Sequence, residues 1–208
     1  MSHHSSKMKA LVAGLCALTL TTVAQAQFLT STGQLSSGGL DTRWQISTNG
    51  GGAWTAASLV TNAPSVWATV PSGSWISATP SGSGGGGNYR ARQQFTLNAG
   101  DALSFSMSCA VDNTLVGLFV NGALVSASAC GTFAFAVPLT FTTANFTTGL
   151  NTLEIRWTGD NTTDGVGVAM NSVNYTPNPN VVPEPSTYAL MATGLIGLVG
   201  LGRRRRIS

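Results

Sequence analysis

The sequence predicts an all-β body, a two-sheet antiparallel sandwich, between an N-terminal signal peptide and a single C-terminal transmembrane helix. Three observations support this fold class: apolar and polar residues alternate in several segments, turn dipeptides separate those segments, and the body has no helical period. We divide the chain into a signal peptide (1–26), a β-sandwich domain (27–176), a linker (177–181) and a tail (182–208).

Period-two alternation identifies the strands of the body. It runs through residues 89–97, 103–111, 133–141, 153–157 and 166–170, and it is typical of half-buried strands. Asn121-Gly122 lies between two apolar triplets, which predicts a type I′ hairpin turn. Short strands at this spacing favour two antiparallel sheets packed face to face.

The N-terminal segment has the parts of a signal peptide. Lys7 and Lys9 precede an apolar stretch that ends at Ala24-Gln25-Ala26, and signal peptidase binds such small residues next to its cleavage site. We therefore expect cleavage between Ala26 and Gln27 and export of the mature chain.

The charge of the body differs from that of the whole chain. The 208-residue chain has a formal charge of +3, but its body holds four arginines and six acidic residues, which gives 4 − 6 = −2. The body also lacks histidine and lysine, which excludes Ser-His and Cys-His nucleophile pairs and most transition-metal sites. We expect no catalytic residues, no cofactor, no metal and no nucleic-acid partner.

Two cysteines remain after the signal peptide, Cys109 and Cys130. A pair of cysteines in an exported protein predicts a disulfide.

The tail has three parts in order. Pro183-Glu184-Pro185 is followed by a mainly apolar run, 187–202, and then by four basic residues: Arg203, Arg204, Arg205 and Arg206. The prolines keep the first part extended, the apolar run predicts one transmembrane helix, and the arginines act as a membrane stop on the cytoplasmic side.

This arrangement resembles the PEP-CTERM sorting signal of exopolysaccharide-producing Gram-negative bacteria. The resemblance implies that a membrane protease, exosortase, recognises Pro183, Glu184 and Pro185. It also implies transient anchoring in the inner membrane, followed by release to the cell surface or extracellular matrix.

Parts of the body resemble galactose-binding-like jelly-roll modules. The similar segments are residues 88–95, Asp112-Asn113 ahead of the Asn121-Gly122 turn, and residues 149–153. Members of that fold bind sugars, lipids or proteins, or provide structure alone, so the resemblance does not select a function.

Four residues are candidates for ligand binding. Trp67 and Trp75 lie among Gly, Ser and Pro, where loops are expected, and an indole in a loop can stack on a sugar ring or pack in the core. Asp112 and Asn113 can hydrogen-bond a ligand or form a turn.

We therefore expect a non-catalytic module that binds extracellular polysaccharide. One alternative is a purely structural matrix or biofilm protein without a defined ligand. The other is a carboxylate-dependent glycoside hydrolase, although the six carboxylates form no recognisable constellation in the sequence.

The signal-peptide assignment predicts the N-terminus of the exported protein. N-terminal sequencing should find Gln27 as the first residue, because Ala24 and Ala26 supply the small side chains of the cleavage site. An exported protein that starts elsewhere or retains Met1 would contradict the assignment.

Overall fold

The computed structural model describes residues 29–83, 85–160, 162–179 and 193–194. The body lies in one compact unit, Gln25–Pro183. Beyond it, only Thr193 and Gly194 of the tail are described, and both are helical. The predicted signal peptide, the Pro-Glu-Pro segment and the four-arginine stop lie outside the described residues, as does the predicted transmembrane helix apart from these two positions. Among the described residues, no helix is long and apolar enough for a membrane crossing.

Twelve strands make up the described body, numbered here in chain order. Their bounds are β1 Ser36–Ser37, β2 Leu40–Ser47, β3 Thr55–Leu59, β4 Ile76–Ser77, β5 Gly87–Leu97, β6 Ala102–Asp112, β7 Thr114–Val120, β8 Ala123–Ser126, β9 Cys130–Thr132, β10 Leu139–Thr142, β11 Gly149–Gly159 and β12 Gly165–Thr176. A short 3-10 turn, Thr143–Asn145, follows β10.

The strands form one hydrogen-bonded, curled sheet in the order β10-β6-β12-β4-β3-β2-β5-β11-β7-β8. β1 pairs with β2, and β9 pairs with β6 in the one parallel pairing of the described strands. The predicted β-rich class is confirmed, whereas two separate sheets are not. The short strand β4 divides this order into two halves, one of β10, β6 and β12 and the other of β3, β2, β5, β11, β7 and β8. It joins them because Ile76 pairs with Val166 of β12 and with Leu59 of β3.

Side chains from both halves of the curled sheet meet in one core. In the half that holds β5 and β11, Tyr89 stacks on Trp157 with ring centroids 5.4 Å apart. In the other half, Phe105 of β6 stacks on Phe141 of β10 at 4.8 Å. Burial of each such aromatic side chain contributes about 2 kcal/mol or more, so this core is the main source of stability.

Residues 30–32, at the start of the body, form hydrogen bonds to both halves of the sheet, and we call this segment the seam. Thr30 accepts from Gln93 Nε2 through its hydroxyl and donates its backbone N–H to Gln93 Oε1, both at 3.0 Å. Thr32 exchanges bonds with the backbone of Val168 on β12, and the Ser31 hydroxyl accepts from Met170 N at 3.0 Å. The seam therefore ties β5 to β12 with buried polar groups that satisfy one another.

The predicted Asn121-Gly122 hairpin is confirmed. β7 and β8 pair antiparallel across it, and the two turn residues have φ of 50° and 81°. Positive φ at both positions is what a type I′ turn requires.

The predicted strand over residues 133–141 is wrong for most of its length. β9 ends at Thr132 and β10 begins only at Leu139. Phe133 has a φ of 59°, and Pro138 cannot donate to a strand ladder. Val137, which the alternation places inside, is 83% exposed.

Cys109 and Cys130 form the predicted disulfide. The two cysteines are direct partners in the parallel pairing of β6 with β9, and their Cα atoms lie 4.5 Å apart. That separation lies within the range that disulfides span. The bond fixes the short strand β9 to the long strand β6.

Loss of this disulfide should destabilise the body. In a Cys109→Ala, Cys130→Ala double variant we expect the free energy of unfolding to fall by about 3 kcal/mol, because the bond closes a loop with a sequence separation of 21 residues. Urea unfolding of the variant and of the oxidised and reduced parent measures the difference. Equal midpoints for the oxidised and reduced parent would contradict the prediction.

Candidate functional site

The two tryptophans predicted to bind sugar are buried. Trp67 and Trp75 lie between β3 and β4, outside the strands as predicted, but their exposed fractions are only 6% and 4%. Their rings contact each other with centroids 4.2 Å apart, and they form a second small core with Val60, Val70 and Ala110. Neither indole presents a face to solvent, so the interpretation of these residues as sugar-stacking platforms is wrong.

The sequence of another strand, β12, contains a feature related to this burial. Gly165 and Gly167 are alternate residues of β12, and a Cβ at position 165 would lie 2.9 Å from Trp67 Cη2. A Cβ at position 167 would lie 3.2 Å from Trp75 Cε2. Alternate glycines in a strand leave space for a large group packed above them, but sequence alone does not say which group.

The predicted ligand residue Asp112 is also buried. It ends β6 and is 6% exposed, and its Oδ2 accepts a hydrogen bond from Trp67 Nε1 at 2.8 Å. Asn113, half-buried, follows it between β6 and β7, and its backbone N–H donates to Thr158 O. Asp112 therefore holds the Trp67 indole, and Asn113 joins the β6–β7 connection to β11. These contacts favour the structural alternative for both residues over the ligand-binding one.

A different surface concentrates the charged side chains of the body. On β2, β5 and β11 the core residues alternate with residues on the outer side of the sheet, and all four arginines of the body occupy outer positions. We call this surface the arginine face. It consists of Arg43, Gln45, Trp54, Arg90, Arg92, Gln94, Phe119, Thr152, Glu154 and Arg156.

Strand register sets the pattern of this face. Arg92 of β5 lies between Gln45 of β2 and Glu154 of β11. In the next row, Arg90 and Arg156 are direct cross-strand partners. Like charges at directly opposed positions repel, so this row needs an anion nearby.

Glu154 supplies one negative charge to two arginines. Its Oε1 accepts hydrogen bonds from Arg90 Nη1, at 3.2 Å, and from Arg156 Nε. The side chains of Arg90 and Arg156 remain 29% and 23% exposed, against 11% for Glu154. The two cations therefore reach solvent more than the anion that they share.

Aromatic rings orient two of the guanidinium groups. The Cζ atom of Arg92 lies 4.0 Å from the centre of the Trp54 ring, and that of Arg156 lies 3.6 Å from the centre of the Phe119 ring. Arg92 also donates Nε to Gln45 Oε1 at 2.9 Å. Stacking of this kind holds a guanidinium plane in place and leaves its edge available for hydrogen bonds.

A shallow depression of about 190 Å³ extends the arginine face along β2 and β5. Thr42, Arg43, Gln45 and Gln94 line it. Its amide, hydroxyl and guanidinium groups can donate to and accept from the hydroxyls of a bound molecule. This part of the face offers hydrogen bonds, whereas the row at Arg90 offers charge.

Comparison with protein-family models matched one segment of the chain, residues 181–206, to the family described as the PEP-CTERM protein-sorting motif. The tail is a PEP-CTERM sorting motif. The match includes Pro183, Glu184 and Pro185 and the arginines from Arg203 to Arg206. Comparison with curated proteins and with solved structures found no match.

The PEP-CTERM motif indicates how the chain is sorted and processed. It indicates an exported protein that is anchored transiently at the membrane and then processed by an exosortase. The motif covers only the tail, so the role of the body depends on the body's own surface.

The remaining polar cluster of the body lies around Asp112. Burial raises the pKa of the Asp112 carboxyl to about 6, the hydrogen bond from Trp67 opposes the rise, and the charges of Asp164 and Asp160 add to it. Burial also raises the pKa of Asp164. In the described part of the chain, no three His, Cys, Asp or Glu side chains are grouped as a metal site requires.

The raised pKa of Asp112 predicts a pH-dependent stability. The folded body holds a proton on Asp112 up to about pH 6, whereas an unfolded Asp releases it near pH 3.9. The stability from this proton is therefore complete below about pH 4 and is lost as the pH rises through about 6. An Asp112→Asn variant should lack this loss and exceed the parent by about 3 kcal/mol at neutral pH.

Urea unfolding at several pH values measures the effect, with Asp101→Asn as the control. Burial raises the pKa of Asp101, but hydrogen bonds from Asn178, Asn98 and Tyr175 outweigh it and leave that pKa below its ordinary value. The stability from Asp101 is therefore present above its unfolded pKa and lost as the pH falls, which is the opposite sign. Parallel pH profiles for Asp112→Asn and the parent would contradict the prediction.

Proposed function

We propose that this chain is a cell-surface or extracellular-matrix protein of a Gram-negative bacterium, and that its body is a non-catalytic module that binds extracellular polysaccharide. The observation that carries the proposal is the PEP-CTERM motif over residues 181–206, because a body sorted in this way acts outside the cell. Under this proposal, signal peptidase and an exosortase remove the two ends, and the body is a sandwich of the galactose-binding-like type.

Several features of the body favour binding over catalysis. The body has no histidine or lysine, and a glycoside hydrolase needs two carboxyl groups across an accessible cleft. Glu154 is shared by two arginines, and Asp112 and Asp164 are 6% and 0% exposed. Glu154 is therefore engaged in ion pairs, and Asp112 and Asp164 are covered by the fold, so these three groups do not line an accessible cleft.

The arginine face supplies the groups that sugar recognition needs. Gln94 donates to the Thr152 hydroxyl at 3.1 Å, which keeps its amide on the outer side of the sheet. Trp54 is half-buried beside Arg92, so part of the ring remains open to the C–H face of a sugar. We place the binding surface here in preference to the buried Trp67 and Trp75.

The test is co-sedimentation of the released, processed protein with extracellular polysaccharide from the producing cells. We expect weak binding, near millimolar, and a two- to tenfold weaker affinity in a Trp54→Ala variant, since loss of stacking removes about 0.5 to 1.5 kcal/mol. Val137→Ala is the matched control, because Val137 is apolar and 83% exposed but does not belong to the arginine face. A parent protein that does not sediment with polysaccharide would favour the purely structural matrix function.

A further inference from the structure

We propose that the arginine face binds the carboxylate groups of an acidic extracellular polysaccharide. The inference names the ligand class for the polysaccharide-binding function proposed above and rests on it. Its basis is the separation of charge within the body, which the strand register creates.

Charge in the body is divided between two regions. The arginine face holds all four arginines and only one of the six acidic residues, Glu154, so its formal charge is 4 − 1 = +3. The other five acidic residues are aspartates, and four of these are at most 6% exposed: Asp41, Asp101, Asp112 and Asp164. The body as a whole therefore has a net negative formal charge, whereas the arginine face has a net positive one.

The aspartates away from the face are occupied by local hydrogen bonds. Asp41 accepts from the backbone N–H groups of Gly33, Arg43 and Trp44. Asp101 accepts from the Tyr175 hydroxyl and from Asn178 N at 2.8 and 2.9 Å. Both carboxylates stabilise local backbone through these bonds, and Asp41 does so on β2, two residues from Arg43. The anion that contacts Arg90 and Arg156 is Glu154.

The row at Arg90 and Arg156 is arranged for a second anion. These two arginines oppose each other across β5 and β11, and both donate to the same oxygen of Glu154, each through one nitrogen. A guanidinium has five N–H donors in a planar fork that matches a carboxylate. A ligand carboxylate can therefore use the remaining donors and reduce the repulsion within the row.

Arg92 extends the site toward β2. It is two residues from Arg90 on the same side of β5, about 7 Å along the strand, and stacking on Trp54 fixes its guanidinium plane. Its cross-strand neighbours are Gln45, which is neutral, and Glu154, whose hydrogen bonds go to Arg90 and Arg156. The face therefore repeats positive charge at intervals in two directions, which suits a polymer with a regularly repeated negative charge.

A polysaccharide fits this surface better than a nucleic acid. Nucleic-acid affinity depends on neutralising many phosphates, and the arginine face has only four arginines for that purpose. The amide and hydroxyl groups of Gln45, Gln94 and Thr152 beside the arginines suit the hydroxyls of a sugar acid. Nucleic acid is treated as a competing outcome in the test.

The experiment measures binding of the released, processed protein to two matched polymers. Polygalacturonate carries a carboxylate on each sugar, and its carboxyl-reduced form is the same chain without the charge. We expect the parent to prefer polygalacturonate and to lose that preference as salt is raised, because exposed ion pairs are screened.

Two variants change the charge of the face in opposite directions. Arg92→Gln removes one positive charge and should weaken binding to polygalacturonate about fivefold. Glu154→Gln removes the negative charge of the face, keeps a hydrogen-bond acceptor for the two arginines, and should strengthen that binding by a similar factor. Neither variant should change affinity for the carboxyl-reduced polymer by as much.

The outcomes separate this inference from the function on which it rests. Equal affinity of the parent for both polymers overturns the charge selection and leaves polysaccharide binding in place. Absence of binding to either polymer and to the producing cells' own polysaccharide overturns both. Tighter binding to single-stranded DNA than to polygalacturonate identifies a nucleic acid as the occupant and overturns the inference. If Arg92→Gln does not fold, the salt dependence of the parent and the Glu154→Gln variant still decide the question.

Discussion

The hydrogen bonds from the seam, residues 30–32, to the two halves of the sheet are the constraint on which the rest of the body depends. A single curled sheet closes around a core only if its distant parts are held together, and β4 contributes just one residue pair to β12. Thr30 bonds Gln93 on one side and Thr32 bonds Val168 on the other. Because these groups are buried, any loss of a partner leaves a polar atom without water or protein to bond, and such atoms destabilise a core by about 1 to 3 kcal/mol each.

The same seam determines which side chains reach the outer surface. Gln93 must point inward to meet Thr30, so its neighbours on β5, Arg92 and Gln94, must point outward. Register then transmits this choice to the adjoining strands, since Arg92 pairs with Gln45 and Glu154. The inward position of one buried amide thus accounts for the outward position of the cationic row. The core and the candidate binding surface are thus the two sides of the same strands, occupied by alternate residues.

Local patterns in the sequence predicted much of the fold but little of the site. Alternation located β5, β6, β11 and β12, and the dipeptide Asn121-Gly122 located the turn between β7 and β8, because these features depend on near neighbours in the chain. The burial of Trp67 and Trp75 was not predicted because it depends on Gly165 and Gly167 of β12, which lie more than 90 residues later in the sequence. The arginine face was not predicted at all. It requires knowing that β2, β5 and β11 are adjacent, and strand order is not a local property.

The seam also affects when the body can fold. Thr32 and Val168 are 136 residues apart in the chain, and contacts between such distant residues form late because a long loop must close first. If the predicted signal peptide leads the chain through the membrane, residues 30–32 emerge early and cannot form their bonds to β12 until that strand has also emerged. During that interval strand edges and apolar side chains are open to association with other molecules. A sorting tail that is anchored transiently at the membrane keeps the late-emerging end of each copy at that membrane until the tail is processed.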